Sequence, residues 1–189
     1  MREDVAVKRW GFVLSSLLVT SACTAVPELP APPSSPEPTV ATACPESGVR
    51  VAAGPSEAAT GLRVLGLRLT NCGERPYDLD GYPLLRVLDT DGEPLKVEVA
   101  RGSAGIATVE GFDAPPEPLT LWPGETAETQ LMWRNTVTGN GAPQVGESLS
   151  IAPAEGRPWQ PVEAGGQYPD GLHIDVGSTG TLGVRAWHR

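Results

Sequence analysis

A chain of 189 residues has room for one domain of ordinary size with extensions, and 22 Gly with 20 Pro make a composition that serves helices poorly. Fourteen Lys and Arg against 23 Asp and Glu leave a formal charge of −9. That balance excludes the basic stripe needed to displace phosphate counterions, so no nucleic-acid partner is expected.

The first 22 residues do not read as part of a fold. Arg2, Lys8 and Arg9 precede an apolar run from Trp10 to Val19, which is too short to span a bilayer as a helix and reads as a secretory signal. Ser21-Ala22 stand directly before Cys23, and this junction resembles the lipobox of bacterial lipoproteins, in which the cysteine becomes the lipidated, palmitate-carrying N-terminus. Thr20 departs from the aliphatic residue usual there, with Val19 one place early, so export with cleavage but no lipid stays open. The resulting expectation is a signal peptide over 1–22 and a chain held at the extracytoplasmic face of the membrane through Cys23, or secreted if Cys23 is not acylated.

Thr24 to Ala43 hold six prolines in twenty residues and have no apolar period, so residues 23–43 are predicted to be a disordered linker. In polyproline II geometry, at roughly 3.1 Å per residue, it would extend to about 60 Å. With Cys23 set aside, Cys44 and Cys72 are an even pair in an exported chain and are predicted to be bonded. A loop of 28 residues closed in this way should contribute about 3 kcal/mol.

The domain proper begins at Cys44. Val49 to Ala53 reads as a short strand and Leu62 to Asn71 as a longer one, whose alternation changes parity near Gly66 and predicts a bulge or sharp twist there. Tyr77 to Asp80 follows. Leu84 to Asp89 is predicted to pair with Leu95 to Ala100 through a tight turn at Asp91-Gly92. Residues 101 to 118 look irregular, with a short strand expected over Ala107 to Glu110. Leu119 to Leu121 and Ala127 to Arg134 flank Trp122-Pro123-Gly124-Glu125, a type II turn signal. In the second of these strands Ala127, Thr129, Leu131 and Trp133 should face the core, leaving Glu128, Gln130, Met132 and Arg134 outside. Thr138 to Gly146 reads as a loop, Leu149 to Ala152 as a strand, and Leu172 to Val176 and Leu182 to Trp187 close the fold. Eight or so short strands joined by Gly and Pro turns predict an all-β, antiparallel, immunoglobulin-like β-sandwich over residues 44–189, with a closed barrel as the alternative.

The search for chemistry yields no catalytic, cofactor-binding or metal-binding set. Ser103 and Ser178 each sit beside a glycine but outside a G-x-S-x-G elbow, and both read as turns. Asp89-Thr90-Asp91-Gly92-Glu93 lacks the ligand spacing of a calcium loop, because Gly92 arrives too early and the twelfth position, Ala100, has no carboxylate. Met132, His173 and His188 are the residues a periplasmic-type copper carrier would use, which keeps that function as the alternative. Tyr82, Trp122, Trp159, Tyr168 and Trp187 fall at turns or on nominally polar faces, either as a recognition patch or as packing over the ends of the sandwich.

Thr70-Asn71-Cys72-Gly73, Leu79-Asp80-Gly81-Tyr82-Pro83, Leu88-Asp89-Thr90-Asp91-Gly92, Leu121-Trp122-Pro123-Gly124 and Leu131-Met132-Trp133-Arg134, in this order behind a lipobox and a Pro-rich stretch, resemble the domain of unknown function 4232 family of actinobacterial secreted proteins and lipoproteins. The resemblance covers about Cys44 to Trp187. Many members carry the second cysteine five residues later, where this chain has Tyr77. The resemblance implies no activity. The expectation is a non-catalytic envelope lipoprotein that binds another envelope component, protein or glycan.

Overall fold

The computed structural model describes residues 43–139 and 141–189, so the leader, Cys23 and the linker as far as residue 42 lie outside the described residues. The described chain is all-β. Its strands are β1 (Val49–Ala59), β2 (Leu62–Asn71), β3 (Tyr77–Leu79), β4 (Leu84–Leu88), β5 (Glu98–Arg101), β6 (Leu119–Leu121), β7 (Thr126–Arg134), β8 (Val145–Gly146), β9 (Ser148–Ala152), β10 (Gln160–Pro161), β11 (Ile174–Asp175) and β12 (Thr181–Val184). One sheet runs β1-β2-β7-β12-β5, and opposite it lie the β10-β9-β4, β11-β8 and β3-β6 sheets. Every pairing is antiparallel except β5 with β12, which is parallel.

The large sheet contributes Val51, Leu67, Leu69, Leu131, Leu182 and Val184 to the core, and the facing layer contributes Leu79, Val87, Leu121, Leu149, Ile151 and Ile174. All twelve are buried. Each comes from the apolar half of an alternating strand, and two such faces can hide from water only against each other. The result is the predicted sandwich.

The parity change predicted near Gly66 is a bulge, and the extra residue belongs to the partner strand. Ala53 pairs with Leu67 and Ser56 with Leu65, so Gly54 and Pro55 together oppose Gly66. A Cβ on Gly54 would lie 3.3 Å from the Gly66 carbonyl oxygen, which favours glycine at position 54. This bulge lets β1 continue to Ala59, well past the Ala53 end expected from sequence.

Four other expectations are corrected. The Asp91-Gly92 turn forms, with Gly92 N–H donating to the Asp89 carbonyl (3.1 Å), but it does not open a full hairpin. Only Leu88 and Pro94 bridge, Leu95 N–H donates to the Val87 carbonyl (2.8 Å), and the chain then leaves to lay β5 beside β12. Pro94 has no N–H with which to extend the ladder. Ala107 to Glu110 forms no strand. Instead the 102–113 segment lies across the outer face of the large sheet. There Arg134 Nε donates to the Ile106 carbonyl (3.0 Å), and a Cβ on Gly183 would stand 2.5 Å from the Gly102 carbonyl oxygen. Met132, paired with Gly183 and expected outside, is fully buried on this covered face.

The last correction concerns Trp187. Arg185 N–H donates to the Gln130 carbonyl (2.9 Å), whereas His188 exchanges both backbone hydrogen bonds with Glu128 (2.8 and 2.9 Å). Three residues of the C-terminal segment thus span two of β7, and this extra residue turns Trp187 inward. Its ring is 2% exposed, and its Nε1 donates to the Pro153 carbonyl (2.7 Å) of the opposite layer. The buried Thr129 hydroxyl donates to the Arg185 carbonyl (2.6 Å).

One end of the sandwich is tied by Asn71, whose buried side chain makes three hydrogen bonds. Its Nδ2 donates to the carbonyls of Leu121 and Arg75 (both 2.8 Å), and its Oδ1 accepts from Gly73 N–H (3.1 Å). Replacing Asn71 by Ala removes these three hydrogen bonds, although Gly73 N–H keeps the Gly48 carbonyl (2.9 Å), and at about 1 kcal/mol for each hydrogen bond the expected loss is about 2–4 kcal/mol. In urea denaturation the midpoint should fall with an unchanged slope. A loss below about 1 kcal/mol would show that the side chain does not hold this end.

Candidate ligand-binding seam

Cys44 and Cys72 are joined, with an S–S distance of 2.02 Å and Cα atoms 5.6 Å apart. The bond fastens the chain just before β1 to the end of β2. Beside it a cavity of about 680 Å³ opens, lined by Glu46, Asn71, Glu74, Arg75, Tyr77 and Arg157 among others. Its charges compensate one another. Arg157 is already committed, donating to the Asp78 carbonyl (3.0 Å) and lying over the Tyr77 ring at 4.6 Å.

The remaining residues singled out from sequence are dispersed. Asp89 Oδ1 accepts from the N–H groups of Asp91 and Glu93 (2.9 Å each), so that pair of aspartates shapes a turn. Ser103 donates its N–H to Asp113 (2.6 Å), and Ser178 Oγ exchanges hydrogen bonds with the Thr138 backbone (2.7 and 3.0 Å). His188 sits against Glu128, four residues along β7 from the buried Met132. His173 stands apart, with Nδ1 3.8 Å from Glu147. It adopts φ of 47°, which ends the extended run predicted from Leu172 and leaves only Ile174–Asp175 as β11. Among the described residues no group of three or more His, Cys, Asp or Glu is placed to hold a metal ion.

The aromatic residues divide. Trp187 is core, Trp122 is 60% exposed on its type II turn, and Tyr168 is half-buried with its hydroxyl on the Gly54 carbonyl (2.8 Å). Tyr82 and Trp159 come to one place, where β4 and β5 form the neighbouring edges of the two layers. A groove of about 320 Å³ runs there, lined by Pro83, Leu84, Leu85, Arg86, Val99, Arg101, Trp159 and Val184. Arg86 lies over the Trp159 ring at 3.9 Å and Arg101 over Tyr82 at 5.6 Å. Neither guanidinium has a carboxylate within ion-pair distance among the described residues, whereas Arg50, Arg68 and Arg189 do. Two uncommitted cations, each over an aromatic ring, converge on an apolar floor in a protein of net charge −9.

Sequence reasoning missed Arg86 and Arg101. They are ordinary outward and edge residues of their strands, and no local pattern brings β4 next to β5.

Residues 44–188 match the family described as Domain of unknown function (DUF4232). The chain belongs to this family. No curated protein matches it. Among solved structures, a β-glucosidase from Kluyveromyces marxianus in complex with glucose and its selenomethionine-labelled form each align over 67% of this chain, with 10% identity and a TM-score of 0.29. This alignment spans only 14% of the enzyme's length. No functional argument follows from it.

Tyr77 occupies the position where the resemblance led us to expect cysteine in many DUF4232 members. Its Oη is buried without a hydrogen-bond partner, and burial pushes its pKa above the usual tyrosine value, against the smaller opposing effect of Arg157. The fold therefore favours the neutral phenol, so this group's contribution is complete below about pH 10 and is lost as pH rises above it. Tyr77→Phe should retain or gain up to about 1 kcal/mol at neutral pH and lessen the alkaline loss. Thermal melts at pH 7 and pH 10.5 check this, and a clear destabilisation at pH 7 would show that Oη has a partner.

Proposed function

We propose that this DUF4232 domain is a non-catalytic binding module of the cell envelope, tethered outside the membrane by lipid on Cys23 through the Pro-rich linker, and that the β4–β5 groove is its ligand surface. The observation that carries this reading is the pairing of Arg86 with Trp159 and Arg101 with Tyr82 at one apolar groove, with no carboxylate partner for either cation among the described residues. Charges left uncompensated beside the exposed Trp159 and the half-buried Tyr82 favour an external, anionic partner over internal stability. The copper-carrier alternative has less support, because its methionine is buried and its histidines are separately engaged.

Two measurements test the proposal. The mass of the protein extracted from membranes should correspond to a chain beginning at acylated Cys23, and an unacylated mature chain would remove the tether. The purified domain, with Arg86 and Arg101 both changed to Glu, should lose retention of an envelope component that the unaltered domain retains. Equal retention by both proteins would remove the groove as the ligand surface. Both positions are exposed, so the double variant should keep the fold.

A further inference from the structure

We infer that the partner is an extended peptide segment of another protein, alternately apolar and acidic, that adds as a strand along the β4 edge at Leu85, ahead of the stretch already bonded to Leu95; the inference rests on the groove being the ligand surface. The phase of the backbone carries it. Leu88 turns its carbonyl toward the β9 side, where it accepts from Glu147 N–H (2.9 Å), while the Val87 carbonyl points the other way and accepts from Leu95 N–H (2.8 Å). By strand alternation, Leu85 shares the orientation of Val87. Its N–H and C=O, with the Val87 N–H, are directed out of the sheet, and β4 has β9 as its only neighbouring strand among the described residues. Across the groove, Glu98 and Gly102 donate their N–H groups to the Gly180 and Val184 carbonyls of the β12 side (both 2.7 Å). Val99 and Arg101 therefore present their backbone groups away from β12.

An incoming strand on β4 must send successive side chains to opposite faces. On the inner face they meet Leu85, Val99 and Val184, which accept apolar groups. On the outer face they lie beside Leu84 and Arg86, whose guanidinium rests over Trp159. At the inner rim Arg101 offers a second cation. One chain thus reads apolar against the floor and carboxylate against Arg86, in alternation. A glycan would use the cations and the aromatic ring but would leave the directed amides of Leu85 and Val87 unpaired.

The test uses the domain with its disulfide intact and two acetylated, amidated pentapeptides, Val-Glu-Val-Glu-Val and Val-Lys-Val-Lys-Val, beside an oligogalacturonate of similar charge. The Glu peptide should shift the amide resonances of Leu85, Val87, Val99 and Arg101 and slow hydrogen exchange at Leu85 and Val87. The Lys peptide should bind at least about tenfold more weakly, and so should the Glu peptide on Arg86→Ala. N-methylation at alternate residues of the Glu peptide should block binding at one parity and spare it at the other, a readout independent of any effect on the fold. Equal tolerance of N-methylation at both parities, or equal affinity for both peptides, would overturn the inference. Oligogalacturonate shifting the same amides while both peptides fail would also overturn it, yet leave the groove as the ligand surface. If all three probes fail and the double Arg→Glu variant retains the envelope component, both readings fall together.

Discussion

Asn71 is the point through which the two layers of the sandwich are held at one end. Its amide reaches from the end of β2 to the Leu121 carbonyl of β6 and the Arg75 carbonyl of the intervening loop, while its own backbone exchanges hydrogen bonds with Gly124 and Glu125. An amide is suited to this place because it offers two donors and an acceptor in a fixed plane, and each meets a backbone group of a different stretch of chain. The Cys44–Cys72 bond starts one residue further on, so the covalent staple and the polar junction reinforce the same end. The type II turn at Pro123-Gly124 is in turn positioned by Gly124 N–H on the Asn71 carbonyl (2.7 Å). Gly124 adopts φ of 85°, which a side chain would resist.

Elsewhere the fold is governed by parity. A strand has a period of two, and one extra residue moves everything beyond it to the other face. At Gly54-Pro55 this device lets β1 remain paired to Ala59. At the C-terminal segment it turns Trp187 into the core, where its indole links the large sheet to the end of β9. The covering of the outer face by residues 102–113 is a related case. It converts a position that alternation assigns to solvent, Met132, into a buried one, and it leaves Gly183 tolerable only without a side chain.

The groove follows from what the layers leave open. A sandwich has edges, and here β4 and β5 end their sheets on the same side because β5 leaves the hairpin and pairs in parallel with β12. Edges with unpaired backbone groups invite another strand unless they are blunted by charge or covered. This one carries arginines on aromatic rings, which repels like-charged edges while offering a site to an anionic one.

The amino-acid sequence by itself determined the all-β class, the family, the Cys44–Cys72 pair and most strand positions, because alternation, Gly and Pro turns and cysteine parity are local signals. Leu131 and Trp133 facing inward, and the Pro123-Gly124 turn, were legible in this way. Only the tertiary structure decided that the chain beyond Leu95 abandons β4, that Met132 and Trp187 are buried, and that Arg86 and Arg101 share one groove. The physical reason is common to all of these. A strand's partner, the parity change at a bulge, and the cover laid over a sheet face are set by contacts between residues far apart in the chain, and a side chain's exposure follows from them, whatever its neighbours in sequence suggest.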